Sequence, residues 1–168
     1  MPSGTHEIFT ARVVEEINLQ LRRLYTDTSR PDLAALAGSI QWCASTDIKF
    51  ESDLDEDQVC STRSPDSSFQ HSDAKYPCLV IETSFSQKKK DLPRLADDYI
   101  IGSHGNIKLM VGLDIEYRGS KRATVSVWQS EEGYEEDGVP YLCATKITDN
   151  EVRLLVLTSI GIYHSFEI

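Results

Sequence analysis

Pro77-Cys78-Leu79-Val80-Ile81-Glu82-Thr83 is the stretch on which the fold of this chain turns. It is apolar, partly β-branched and entered through a proline, which is the composition of a strand. An unbroken apolar run of this kind predicts a central strand covered on both faces, whereas a half-exposed strand would alternate. One carboxylate, Glu82, sits inside the run. Burying an unpaired charge is costly, so Glu82 calls for a metal ion, a basic partner or an exposed strand end.

Downstream, Leu92, Leu95, Ala96, Tyr99 and Ile100 share one face of a helix predicted over Asp91–Ile101, with Pro93 harmless in its first turn. Gly102–Asn106 reads as a turn. Ile107–Tyr117 then reads as a strand, with Val111, Leu113, Ile115 and Tyr117 alternating. Arg118-Gly119-Ser120-Lys121 connects it to a returning strand over Ala123–Trp128. A last hairpin is expected from Tyr141–Ile147 and Glu151–Leu157, turned at Thr148-Asp149-Asn150.

Upstream, Val14, Ile17, Leu21 and Leu24 mark one face of an amphipathic helix over Glu7–Tyr25, stopped by Asp27, Ser29 and Pro31. A shorter helix fits Asp32–Leu36, and a strand fits within Ile40–Phe50. Glu51–Ser64 is acidic and polar and reads as an exposed loop. The order helix, strands, helix, strands predicts an α+β fold, a mixed central β-sheet flanked by helices, in one domain spanning residues 1–168.

The composition, 40% hydrophobic and 26% charged, is that of an ordinary globular protein. Its apolar runs are far shorter than the roughly 20 residues of a membrane helix, and the first residues do not resemble a signal peptide. Cys43, Cys60, Cys78 and Cys143 are widely spaced, which argues against a zinc site and for a reducing compartment. The expectation is an intracellular protein, cytoplasmic or nuclear, with no membrane association.

The net charge of −10 runs against a duplex-coating surface, but the charge is unevenly spread. Glu51, Asp53, Asp55, Glu56 and Asp57 form one acidic stretch, and Glu131, Glu132, Glu135, Glu136 and Asp137 another. Between them lie Lys88, Lys89, Lys90, Arg94, Arg118, Lys121 and Arg122. The plainer reading is two solvated acidic loops and a basic surface helix. His71 and His104 fall in loops as solvated side chains, and Ser84 and Ser86 have no histidine–acid pattern for a serine hydrolase. Gly102–Asn106 lacks phosphate-loop spacing, and Trp42 and Trp128 read as core or half-buried packing residues.

Pro65-Asp66 lies just ahead of the central strand. Two acids presented on adjacent strands can share a divalent cation, which takes oxygen ligands and activates water. A Pro-Asp dipeptide is also ordinary turn chemistry, and both readings stand. Ser64-Pro65-Asp66-Ser67-Ser68-Phe69, followed by Tyr76-Pro77-Cys78-Leu79-Val80-Ile81-Glu82-Thr83-Ser84-Phe85-Ser86-Gln87, resembles the PD-(D/E)XK nuclease group. The similarity is greatest to uncharacterised fungal members with a related Pro-Asp…Val-Ile-Glu-Val-Ser-Tyr-Ser-Gln pattern. The helix after it and Val111-Gly112-Leu113-Asp114-Ile115-Glu116-Tyr117 extend the resemblance over residues 64–128.

That resemblance implies a restriction-endonuclease-like core. It also implies Asp66, Glu82 and the Thr83 carbonyl as ligands of Mg2+ or Mn2+, and DNA phosphodiesters as substrate. Where the group carries a lysine, two residues after the glutamate, this chain has Ser84. The lysine's function then passes to Gln87, Lys88 or Lys90, or is lost. Two expectations follow. The first is a divalent-metal-dependent nuclease with Asp66, Glu82, Gln87 and Lys88 as its catalytic residues. The second is a catalytically degenerate module of the same fold that docks onto a basic protein surface. Glu15 and Glu16 are candidates for an additional acid on the first helix, but they lie off the apolar stripe near Ile17, where solvation is the simpler reading.

Overall fold

Along the chain the elements run α1 (Gly4–Tyr25), α2 (Pro31–Ser39), β1 (Ile40–Trp42), β2 (Ile48–Ser52), β3 (Asp55–Arg63), β4 (Ser67–His71), β5 (Leu79–Phe85), α3 (Leu92–Gly102), β6 (Leu109–Ile115), β7 (Arg122–Tyr134) and β8 (Pro140–Arg153). The computed structural model describes residues 4–52, 55–85, 91–116, 122–135 and 137–153. Six strands form one sheet in the order β1-β4-β5-β6-β7-β8, and β2 and β3 form a separate hairpin. β5 and β6 are parallel and joined by a crossover through α3, while the other neighbours are antiparallel. This is the expected α+β layout, a mixed sheet flanked by helices.

The apolar run around Val80 becomes the covered central strand that it predicts. Successive side chains of β5 point to opposite faces. Val80 packs with Ala96, Tyr99 and Ile100 of α3 and with Met110 and Trp128. Ile81 packs with Phe9 and Val14 of α1 and with Phe69, Leu113 and Ile115. α1 therefore covers one face of the central strands and α3 the other. The α3 contact is close: a Cβ on Gly112 of β6 would lie 2.8 Å from Trp128 Cζ3 and 3.0 Å from Leu92 Cδ1. Asp91 caps α3 by accepting from the Arg94 amide at 3.4 Å, with Pro93 in the first turn as expected.

Several expectations need correction. Glu51–Ser64 is not a loop; most of it builds the β2–β3 hairpin, paired from Ile48↔Arg63 to Ser52↔Asp55. Two buried side chains, Ile48 and Phe50, anchor that hairpin to the core. The Phe50 ring lies 6.0 Å from that of Tyr76 and 6.3 Å from that of Tyr99. Ile40–Phe50 holds two short strands, β1 and β2, which belong to different sheets.

The expected last hairpin is instead one strand. β8 runs straight through Thr148-Asp149-Asn150, which pair with Val127, Ser126 and Val125 of β7, and residues 154–157 lie outside the described residues. Glu131 and Glu132 lie within β7, not in a loop. Trp128 is core, but Trp42 is 54% exposed, its indole Nε1–H donating to Ser67 Oγ at 2.7 Å. Tyr117 and the connection 118–121 are outside the described residues.

Cys43, Cys78 and Cys143 are free thiols. Burial raises the Cys78 pKa above its ordinary value. Among the described residues, no helix is long and apolar enough to cross a membrane.

Candidate functional site

The β4–β5 register pairs Ser67 with Ile81, so one further step sets Asp66 opposite Glu82. β4 starts at Ser67, and the Asp66 side chain just ahead of it bonds to β5: its Oδ2 accepts from Thr83 N at 2.6 Å. The Thr83 carbonyl leaves the strand on the same side as that amide, toward Asp66. On the α1 face, Thr83 Oγ1 shares a buried hydrogen bond of 2.8 Å with Thr10 Oγ1.

Glu82 points the other way, toward α3, and is 3% exposed. The Tyr99 hydroxyl donates to its Oε1 at 2.6 Å. That hydroxyl is held protonated, its pKa pushed well above the usual tyrosine value. Burial is the main cause, followed by the Glu82 charge and hydrogen bond and then the Asp66 charge, with Arg63 acting in the opposite sense. The phenol is thus close to both acids and to one guanidinium. Arg63, the last residue of β3, is itself tied to α3 by an Nη2–Oδ2 ion pair of 2.8 Å with Asp98.

Two residues beyond Glu82 on the same face, Ser84 is 0% exposed. Its partner on the parallel neighbour β6 is Asp114, whose Oδ1 is buried without a hydrogen-bond partner. The α3 side of the sheet therefore gathers Arg63, Asp66, Glu82, Asp98, Tyr99 and Asp114. Both predicted acids, Asp66 and Glu82, are brought together with Thr83. Gln87, Lys88 and Lys90 lie outside the described residues.

Other candidates stand apart. Glu15 is exposed and paired with Arg12 at 2.8 Å, and Glu16 accepts from Gln20 at 2.6 Å. His104 is exposed in a turn with φ 53°, and His71 lies 4.0 Å from Asp73. A shallow groove lined by Ile48, Lys49, Gln70, Lys75 and Tyr76 does not include Asp66 or Glu82.

Sequence reading singled out neither Arg63, Tyr99 nor Asp114 as site residues. Tyr99 was legible only as a core residue of α3. Asp114 carried a signal, a carboxylate within the buried alternation Leu113-Asp114-Ile115, of the kind that drew attention to Glu82. Arg63 had no local signal beyond lying close before Pro65-Asp66.

Among the described residues, no group of three or more His, Cys, Asp or Glu side chains is arranged to hold a metal. Two carboxylates and a backbone carbonyl are nevertheless donors of the right chemistry for a hard cation, which takes one or two carboxylates and fills its shell with water and phosphate. Compared with models of known protein families, with curated proteins and with solved structures, the chain matches none. The functional reading therefore rests on the residues themselves.

Proposed function

We propose that this chain is a divalent-metal-dependent nuclease of the PD-(D/E)XK nuclease-like group, hydrolysing DNA phosphodiester bonds. The observation that carries the reading is the meeting of Asp66 and Glu82 across β4 and β5, next to the Thr83 backbone. A restriction-endonuclease-like core is part of the same proposal, and a mixed sheet with a helix on each face is compatible with it. Asp66, Glu82 and the Thr83 carbonyl would hold Mg2+ or Mn2+. Such an ion acidifies bound water and offsets charge on the phosphoryl oxygens.

The chain's own part is to set the two acids in advance. The Thr83 amide fixes the Asp66 carboxylate, and Tyr99 fixes that of Glu82. Isosteric variants separate metal binding from folding. Asp66→Asn keeps an oxygen for the Thr83 amide, and Glu82→Gln keeps one for Tyr99. Calorimetric titration of Mn2+ should show saturable binding to the wild type, weakened at least tenfold in either variant, with loss of Mn2+-dependent nicking of supercoiled plasmid. Equal Mn2+ affinity in wild type and both variants would sink the proposal.

One observation favours a second reading, a degenerate module of the same fold that docks onto a basic protein surface. Ser84 is buried at the position where the group's lysine would stand, and the chain carries a net charge of −10. Retention on heparin supports the nuclease, because it needs a phosphate-binding face. Flow-through together with absent Mn2+ binding supports the module.

A further inference from the structure

Between the β2–β3 hairpin and β4 runs a groove of about 250 Å³, bordered by Asp47, Lys49 and Glu51 on one side and by Ser68, Gln70 and Lys75 on the other. It is smaller than the ~300–1,000 Å³ of a typical small-molecule pocket, and shallow, so it suits a chain passing through rather than an enclosed ligand. Its position follows from strand alternation. Ser68 pairs with Val80, whose side chain packs with α3, so Ser68 and Gln70 lie on the α3 side of β4, where Asp66 and Glu82 also meet. At about 3.3 Å per residue they stand roughly 7 and 13 Å beyond Asp66. The opposite wall is tied to the same end of the site: Asp47 Oδ1 accepts from Ser64 Oγ, two residues ahead of Asp66, at 2.5 Å. The groove thus leads away from the two acids.

The charges along this groove are not equally committed. The Asp47 carboxylate is engaged by Ser64. Lys75 is ion-paired with Glu51, and its ammonium lies 5.6 Å from the centre of the Tyr76 ring. Lys49 is exposed, and among the described residues its side chain has no ion pair and no hydrogen bond. We infer that the groove takes the DNA strand next to the scissile phosphodiester, with the Lys49 ammonium on a backbone phosphate. This rests on the nuclease reading above. At ~3.4 Å of helix axis per nucleotide, the span from Asp66 to Ser68 and Gln70 covers roughly two to four nucleotides. A phosphate contact there sets the register of the strand over the two acids and carries no sequence information. Lys49 acts as a hydrated point charge, so its contribution is electrostatic and follows ionic strength.

The test is fluorescence anisotropy of a fluorescein-labelled DNA duplex over a KCl series, with Ca2+ replacing Mg2+ to prevent cleavage. It compares wild type, Lys49→Gln, Lys49→Arg and Arg23→Gln. Lys49→Gln should weaken binding about fivefold and lower the slope of log K against log salt by about one, the signature of one lost phosphate contact. Lys49→Arg should keep the slope, because the charge remains. Arg23→Gln removes an exposed charge from the last turn of α1, on the other face of the sheet, and should match wild type. Thermal stability and Mn2+ titration should be the same in all four proteins. With Mg2+ restored, Lys49→Gln should raise KM for plasmid nicking about fivefold and leave kcat unchanged, the mark of binding lost equally from ground and transition states. Wild-type binding with an unchanged slope in Lys49→Gln overturns this assignment and leaves the nuclease reading standing. A slope that falls as far in Arg23→Gln overturns it too, since net charge would then account for the effect. A wild type that binds no duplex overturns both.

Discussion

Replacing Tyr99 by phenylalanine removes one oxygen from the interior while keeping the ring that packs on Val80 and Phe50. The oxygen it removes donates to Glu82 Oε1 at 2.6 Å, and both residues are buried. Hydrogen bonds to charged groups contribute about 1.5–3 kcal/mol, and a buried acceptor that loses its donor forfeits most of that. The variant should therefore lose about 2 kcal/mol at pH 7, or roughly 4–8 °C in Tm for a chain of this size.

A second signature lies in pH. The Tyr99 hydroxyl has its folded-state pKa raised above the ordinary value of 10.0, mainly by burial and then by Glu82. Below pH 10 both folded and unfolded chains keep the proton, so this group makes stability neither rise nor fall with pH. Above pH 10 the unfolded chain releases the proton and the folded chain retains it. Stability then falls by about 1.4 kcal/mol per pH unit from this group. The phenylalanine variant has no such term. Urea unfolding followed by circular dichroism from pH 7 to 11 should show a wild-type advantage that is constant up to about pH 9.5 and shrinks above it. A variant within about 0.5 kcal/mol of wild type at pH 7, with a difference that does not shrink at high pH, refutes the reasoning.

Two further predictions concern packing and the α1 contact. Gly112→Ala drives a methyl against Trp128 and Leu92 and should cost about 1–3 kcal/mol in denaturant melts; an unchanged midpoint would show that α3 sits more loosely than its contacts imply. In a double-mutant cycle, Thr10→Val and Thr83→Val should give a coupling energy of about 1 kcal/mol, from the hydroxyl pair that joins α1 to β5. Strict additivity would mean that this pair contributes nothing to holding the helix.

Features carried by short-range pattern can be read from the amino-acid order alone. The apolar run at residues 78–83 specified a covered strand, and the spacing along residues 7–25 and 91–101 specified α1 and α3, because a period of 2.0 or 3.6 residues is written in neighbouring side chains. Glu82 was also conspicuous, as a carboxylate in an apolar run, whereas Asp66 was a candidate only through the Pro65-Asp66 dipeptide and the resemblance it carries. Tertiary structure decided the rest. Ile48 and Phe50 turn an acidic stretch into a hairpin only because Tyr76 and Tyr99, distant in sequence, close over them. Thr148-Asp149-Asn150 has the composition of a turn, but β7 offers these three residues backbone partners beyond a bulge at Val127/Trp128, and satisfying those hydrogen bonds outweighs the local preference. Tyr99 on Glu82, Arg63 on Asp98 and Asp114 beside Ser84 each join residues from different elements. No local pattern encodes such meetings, because they exist only once the sheet and α3 have come together.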